Sequence, residues 1–304
     1  MPARRETNMN VMTKALLLVP AGLLLAADLR AERVERTVDA SPDGQVSISN
    51  TAGSIEVSGW SRNQVEVTGE LGADVDELIV ERSGSEVIVK VRVPRHGSRA
   101  ISTDLRIRVP EKSSIEVIGV SADIDVTDVQ GGQRLQSVSG DVTTEVFAAD
   151  LTAESVSGDV EVEGDNQPTH TQLSSVSGDV DVHRLAGEID ATSVSGSVSI
   201  VDGKYERVQA NAVNGDVVFR SELLDGGRLD IETINGGVDV RFKGKISARF
   251  DIETFNGGIR NCFGPKPVRT SEYTPGRELK FTEGDGASRV RISTLNGGLS
   301  LCKE

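Results

Sequence analysis

Aromatic residues are scarce in this chain of 304: one tryptophan, Trp60, two tyrosines and seven phenylalanines make up 3% of it. A core with so few large rings must be filled by Val, Ile, Leu and Ala, which suits thin, regularly stacked layers better than one thick interior. Histidine is as sparse. His96, His170 and His183 are scattered and share no metal-ligand spacing, so no metal site is expected. The chain also lacks a Gly-x-Ser-x-Gly elbow, a phosphate loop and a dinucleotide fingerprint. Neither catalytic nor cofactor-binding residues are therefore expected, and the chain does not read as an enzyme. Basic residues are outnumbered 33 to 47, for a net charge of −14 that repels phosphate backbones and excludes nucleic acid as a partner.

Only one long apolar run is present. The segment 15–27 follows Lys14 and precedes the small residue Ala31, and this order of charge, apolar run and small residue reads residues 1–31 as a signal peptide. The run is too short to span a bilayer, and no second run of that kind follows, so the mature chain is expected to carry no integral membrane segment. Its removal takes four basic and two acidic residues and moves the net charge to −16. The protein is expected to be secreted, to the periplasm or the cell surface. Such a compartment permits the two cysteines, Cys262 and Cys302, to pair. The charge is uneven: residues 138–204 hold 13 acidic and 2 basic residues, residues 241–304 hold 7 and 12.

What the chain has in abundance is a repeat. Ser137-Val138-Ser139-Gly140-Asp141-Val142 recurs at Gly158 and Gly178, recurs with Ser197 in place of Asp at Gly196, and passes into Asn-Gly versions at Gly215, Gly236, Gly257 and Gly297. From Gly140 to Gly257 the intervals are 18, 20, 18, 19, 21 and 21 residues, and the last interval is 40. Around each of these turn glycines apolar and polar residues alternate, as in strands. A second turn signal between motif glycines, such as Gly164-Asp165 or Asp202-Gly203, divides each repeat into two short strands.

Two all-β architectures satisfy this pattern. One is a β-solenoid of 18–21-residue coils, in which equivalent residues stack about 4.8 Å apart. The other is an antiparallel meander, since Ser-Gly-Asp and Asn-Gly are hairpin turns. The near-identity of the Ser or Asn before each glycine favours the solenoid, where stacked hydroxyls and amides can bond along a column. Residues 32–115 are strand-like but irregular and read as an N-terminal β cap region, with the repetitive part covering 116–304. Val142, Val160, Val180, Val198, Val217, Val238 and Ile259, each two after its glycine, are expected inside. Val138, Val156, Val176, Val194, Val213, Ile234, Phe255 and Leu295, each two before, are core if the corner turns them inward and an exposed apolar stripe if it does not; burial is the expectation, because soluble proteins rarely leave such a stripe bare. The column Asp141, Asp159 and Asp179 reads as turn capping, with calcium as the alternative.

Cys262 and Cys302 each lie five residues after a motif glycine, so adjacent coils would bring them within disulfide range and coils two apart would not. A bond between them requires residues near 263–287, with Pro265, Pro267 and Pro275, to be an inserted excursion. Two free thiols are the competing reading.

The repeated Val-Ser-Gly-Asp-Val motifs, the entry segment Gly119-Val120-Ser121-Ala122-Asp123-Ile124 and the exported N-terminus resemble the bacterial putative-adhesin β-strand-repeat family of unknown function. The resemblance implies an envelope location and a β-solenoid, and supplies no catalytic residues. Three functions follow as expectations. The first is a non-enzymatic envelope module, adhesin-like or structural, that binds an envelope protein or a glycan. The others are a carbohydrate-active β-helix enzyme and a self-assembling envelope scaffold.

Overall fold

The computed structural model describes residues 32–94 and 100–304, so residues 1–31, read above as a signal peptide, and His96 lie outside the described residues. Within them the chain is all-β, with 23 strands and no helix.

Each repeat contributes two strands, one before the glycine corner and one after it, and each strand pairs in parallel with its equivalents in the neighbouring repeats. Val160–Gly164 lies between Val142–Val146 and Val180–His183, with Val160 opposite Val142 and Val180. Leu151–Ser155 lies in the same way between Gln133–Ser137 and Pro168–Ser175. The antiparallel pairing of sequential strands that a meander needs is not made by these repeats.

Alternation does the rest. Along Leu151–Ser155 the first, third and fifth residues are buried, and along Val160–Gly164 likewise. The inward side chains of the two ladders meet as stacked rows of Val, Leu, Ile and Ala. All seven residues two after their glycines are buried, from Val142 at 0% exposed to Ile259 at 8%. The few aromatics gather in the C-terminal coils. Tyr205, Phe219, Phe242 and Phe250 follow one another inside with ring centroids 6.1, 5.8 and 6.0 Å apart, and Phe281 stacks on Phe250 at 4.5 Å. Burial without a hydrogen-bond partner drives the Tyr205 phenol far above its ordinary pKa.

The order of coils departs from the order of sequence at both ends. Gln45–Trp60 is the first long strand in the chain, yet it lies between Ser114–Thr127 on one side and Glu86–Arg92 with Thr103–Pro110 on the other. At the other end, Ser288–Asn296 pairs in parallel with Val217–Asn235 and with Ala248–Asn256, so the last repeat in sequence sits between the two that precede it. Both extremes of the stack then switch to antiparallel pairing. Glu77–Ser83 covers Glu86–Arg92, Gln64–Leu71 covers Thr103–Pro110 and is itself covered by Glu32–Asp39, and Arg277–Glu283 covers Ala248–Asn256. A parallel ladder that simply stopped would offer a row of free amides and carbonyls to another chain; the antiparallel strands occupy those groups.

Within 263–287, two strands, Val268–Arg269 and Arg277–Glu283, pair antiparallel with each other. Cys262 and Cys302 are joined by a disulfide with Cα atoms 4.8 Å apart, one strand spacing.

Candidate functional site

The corner of each repeat is built by hydrogen bonds that run between coils. Ser155 Oγ accepts the Gly158 amide at 3.0 Å and donates to the Gly140 carbonyl of the coil below at 3.0 Å. Ser175 and Ser193 do the same in their coils, and Ser137 accepts the Gly140 amide and donates to the Ala122 carbonyl. In the Asn-Gly coils Thr233, Thr254 and Thr294 donate to the glycine carbonyl next in the stack. Each of these hydroxyls is buried, three residues before its glycine. This corrects the hydroxyl half of the sequence argument: the serines directly before the glycines, Ser139, Ser157, Ser177 and Ser195, are exposed. The amide half behaves as a ladder. Asn235 donates to Asn214 at 2.8 Å, Asn296 to Asn235 at 2.9 Å and Asn256 to Asn296 at 2.9 Å.

The aspartate column is tied in by backbone donors. Asp141 Oδ1 accepts the Asp159 amide at 2.9 Å, Asp159 Oδ1 that of Asp179 at 2.8 Å, and Asp179 Oδ1 that of Ser197 at 2.7 Å. Each carboxylate thus caps the next coil rather than its own turn. Among the described residues no three His, Cys, Asp or Glu side chains converge as a metal site. Behind the column, burial and then the charge of Asp179 push the Asp181 carboxyl above its ordinary range.

With the hydroxyl holding the inner position of the corner, the next residue is turned outward. The column two before each glycine, expected inside, is exposed: Val138, Val156, Val176, Val194, Ile234, Phe255 and Leu295 are between 38% and 48% accessible, and Val213 is half-buried. Val120 continues it toward the N-terminus at 46%. The alternation of the strand was the better guide here than the hydrophobicity of the residue. Main-chain bonds confirm that the column is unbroken, from the Ser157 amide to the Val138 carbonyl, through Ser177 to Val156 and Ser195 to Val176, to Asn235 on Val213. The result is a straight apolar ridge with one side chain per coil, valine through most of its length and Ile234, Leu295 and Phe255 at the C-terminal end.

At that end the ridge is flanked by hollows. On one side a groove of about 600 Å³ has Thr233, Thr254 and Thr294 at its base, Ile234 and Phe255 on its flank and Thr270 at its rim. On the other side, a hollow of about 530 Å³ runs over Gly237, Gly258 and Gly298, where earlier coils carry Asp or Ser. In the groove Ser293 Oγ donates to Glu253 Oε1 at 3.5 Å, and no histidine lines either hollow. His170 stands 3.9 Å from Glu188 at the surface, away from both hollows.

No curated protein matches the chain. Several solved structures are similar to it at low identity, three of them as follows. A putative adhesin from Bacteroides fragilis NCTC 9343 shares 11% identity over 88% of this chain and 96% of that one, with a TM-score of 0.42. A putative lipid binding protein from Parabacteroides distasonis ATCC 8503 shares 12% over 90% and 96%, at 0.43. A putative adhesin from Parabacteroides merdae ATCC 43184 shares 9% over 70% and 90%, at 0.35. The family profile of Toastrack DUF4097 matches residues 40–192, half of the chain, which takes in the irregular N-terminal strands and the first Val-Ser-Gly-Asp repeats. By that match the chain belongs to the Toastrack DUF4097 family.

Proposed function

We propose that the protein is a non-enzymatic, exported binding module of the bacterial envelope, a β-solenoid whose corner ridge docks on another envelope component in the manner of an adhesin. The exposed column from Val120 to Phe255 carries this reading. A fold that can bury apolar side chains by strict alternation has nonetheless placed one at the surface at the same position in seven of the eight repeats. In this reading residues 1–31 direct export, 32–115 serve as the N-terminal cap region, 116–304 form the repetitive body with its excursion near 263–287, and the disulfide staples the C-terminal coils against a periplasmic or extracellular environment.

The test replaces Val156, Val176 and Val194 together by Ser and compares retention of envelope fractions by the two proteins. The expected result is a component held by the unaltered protein and lost by the variant, with thermal unfolding unchanged. Equal retention, or none by either, rejects the ridge as the docking surface. Light scattering over a range of concentrations tests the scaffold alternative: self-association that disappears in the same variant would make the partner a second copy.

A further inference from the structure

The outer face beside the ridge carries a row of four arginines on four adjacent strands. Arg207 stands opposite Arg228, Arg228 opposite Arg289, and Arg289 opposite Arg249. All four are exposed. The non-sequential coil order creates this row: Arg289 falls between Arg228 and Arg249 only because the last repeat is inserted between two earlier ones. Like charges directly opposite on neighbouring strands are unfavourable. Arg228 is paired with Asp230, but Arg207, Arg289 and Arg249 have no ion pair among the described residues.

The rows on the ridge side decide what could neutralise them. The next row reads Asp230, Arg291, Asp251, Lys280 and is balanced; the one after it reads Glu232, Ser293, Glu253, Glu278 and is acidic. A broad anionic surface laid on this face, a membrane or a duplex, would meet those glutamates. A narrow chain running across the strands would meet only arginines, over three strand spacings or about 14 Å. At the Arg249 end a hollow of about 500 Å³ opens between Arg249, Arg289, Arg291, Thr282 and the ion pair of Lys280 with Asp251, giving the chain room to continue. Guanidinium forks take carboxylates in bidentate fashion.

We propose that the row Arg207, Arg228, Arg289 and Arg249 binds a linear acidic polysaccharide bearing a carboxylate on each sugar, laid along the stacking direction of the coils. This site is separate from the ridge, so ridge variants leave it intact and either reading can fail alone.

Fluorescence anisotropy with a labelled oligogalacturonate tests it, with an uncharged cello-oligosaccharide, inorganic polyphosphate and phosphatidylglycerol vesicles as comparison ligands. The double variant Arg289→Gln, Arg249→Gln should weaken oligogalacturonate binding by roughly tenfold or more, while the remote Arg36→Gln leaves it unchanged. The uncharged sugar should not bind, and added salt should weaken the charged one. Free of ligand, the double variant should melt at a higher temperature than the parent at low salt, with the difference shrinking as salt screens the row. Absence of oligogalacturonate binding, equal binding by the double variant, tighter binding of polyphosphate or vesicles through the same arginines, or a lower melting temperature in the variant would each overturn the proposal.

Discussion

Asn296 donates its side-chain amide to Asn235 at 2.9 Å across 61 residues of sequence, and accepts that of Asn256 at 2.9 Å on its other side. Asn235 and Asn256, nearer each other in sequence than either is to Asn296, are separated by it. The last repeat of the chain completes the ladder from within, so the strand Ala248–Asn256 is paired to Val217–Asn235 through a strand that comes later in sequence. Replacement of Asn296 by Ala removes both amide bonds and should cost about 1 kcal/mol in urea unfolding, more than Asn256→Ala, which removes only one.

The two valines of a single corner should respond in opposite ways. Val180 is fully buried and Val176 is 45% exposed, four residues away. Val180→Asp buries a carboxylate without a partner and should cost several kcal/mol, whereas Val176→Asp should leave thermal unfolding nearly where it was. Equal effects would show the inward register to be wrong by one residue.

A methyl group at Gly178 would stand 2.2 Å from the Gly158 carbonyl oxygen, backbone that cannot yield without separating the coils. Gly178→Ala should therefore destabilise by about 1–3 kcal/mol. At Gly258 the same atom meets nothing within 4 Å, and Gly258→Ala should be neutral in the same melt while filling part of the hollow beside the ridge.

Reduction of the disulfide frees the inserted coil from its neighbour. Closing a loop of this length contributes about 3 to 4 kcal/mol, and the loss should appear first as proteolysis within residues 263–287, at Arg269, before the N-terminal coils are cut. Limited trypsinolysis with and without reductant measures it; identical cleavage patterns would show the bond to be unnecessary to that end of the stack.

The raised pKa of Asp181 makes stability depend on pH in a stated direction. Burial and Asp179 hold the folded carboxyl above its unfolded value, so the folded state binds the proton more tightly. The cost of the charge is fully present above the folded pKa and is relieved as pH falls from there toward the ordinary carboxylate range. Asp181→Asn should raise the melting temperature at neutral pH, and the gain should fade on acidification through that window. A gain that does not vary with pH would assign the effect to packing instead.

Strand periodicity and the Gly140-to-Gly297 repeat were enough to place Val142, Val160 and Val180 inside, and the place of Cys262 and Cys302 in their repeats was enough to relate them, because those readings depend only on local alternation and spacing. The ridge was legible as a column but not as a surface. Whether Val156 points in or out depends on the buried hydroxyl of Ser155, which must reach both its own glycine amide and the carbonyl of the coil below, and that second partner exists only once coils are stacked. Coil order was beyond the sequence for a related reason. Ile234-Asn235-Gly236-Gly237, Phe255-Asn256-Gly257-Gly258 and Leu295-Asn296-Gly297-Gly298 are interchangeable as neighbours, since each offers the same amide, hydroxyl and glycine to the next. Only the folded chain decides among them: the strand Arg277–Glu283 runs back along Ala248–Asn256 and covers that coil's outer edge, while Ser288–Asn296 fills the place between it and Val217–Asn235. That decision places Arg289 between Arg228 and Arg249, and so the arginine row is a property of the tertiary structure that no reading of consecutive repeats contains.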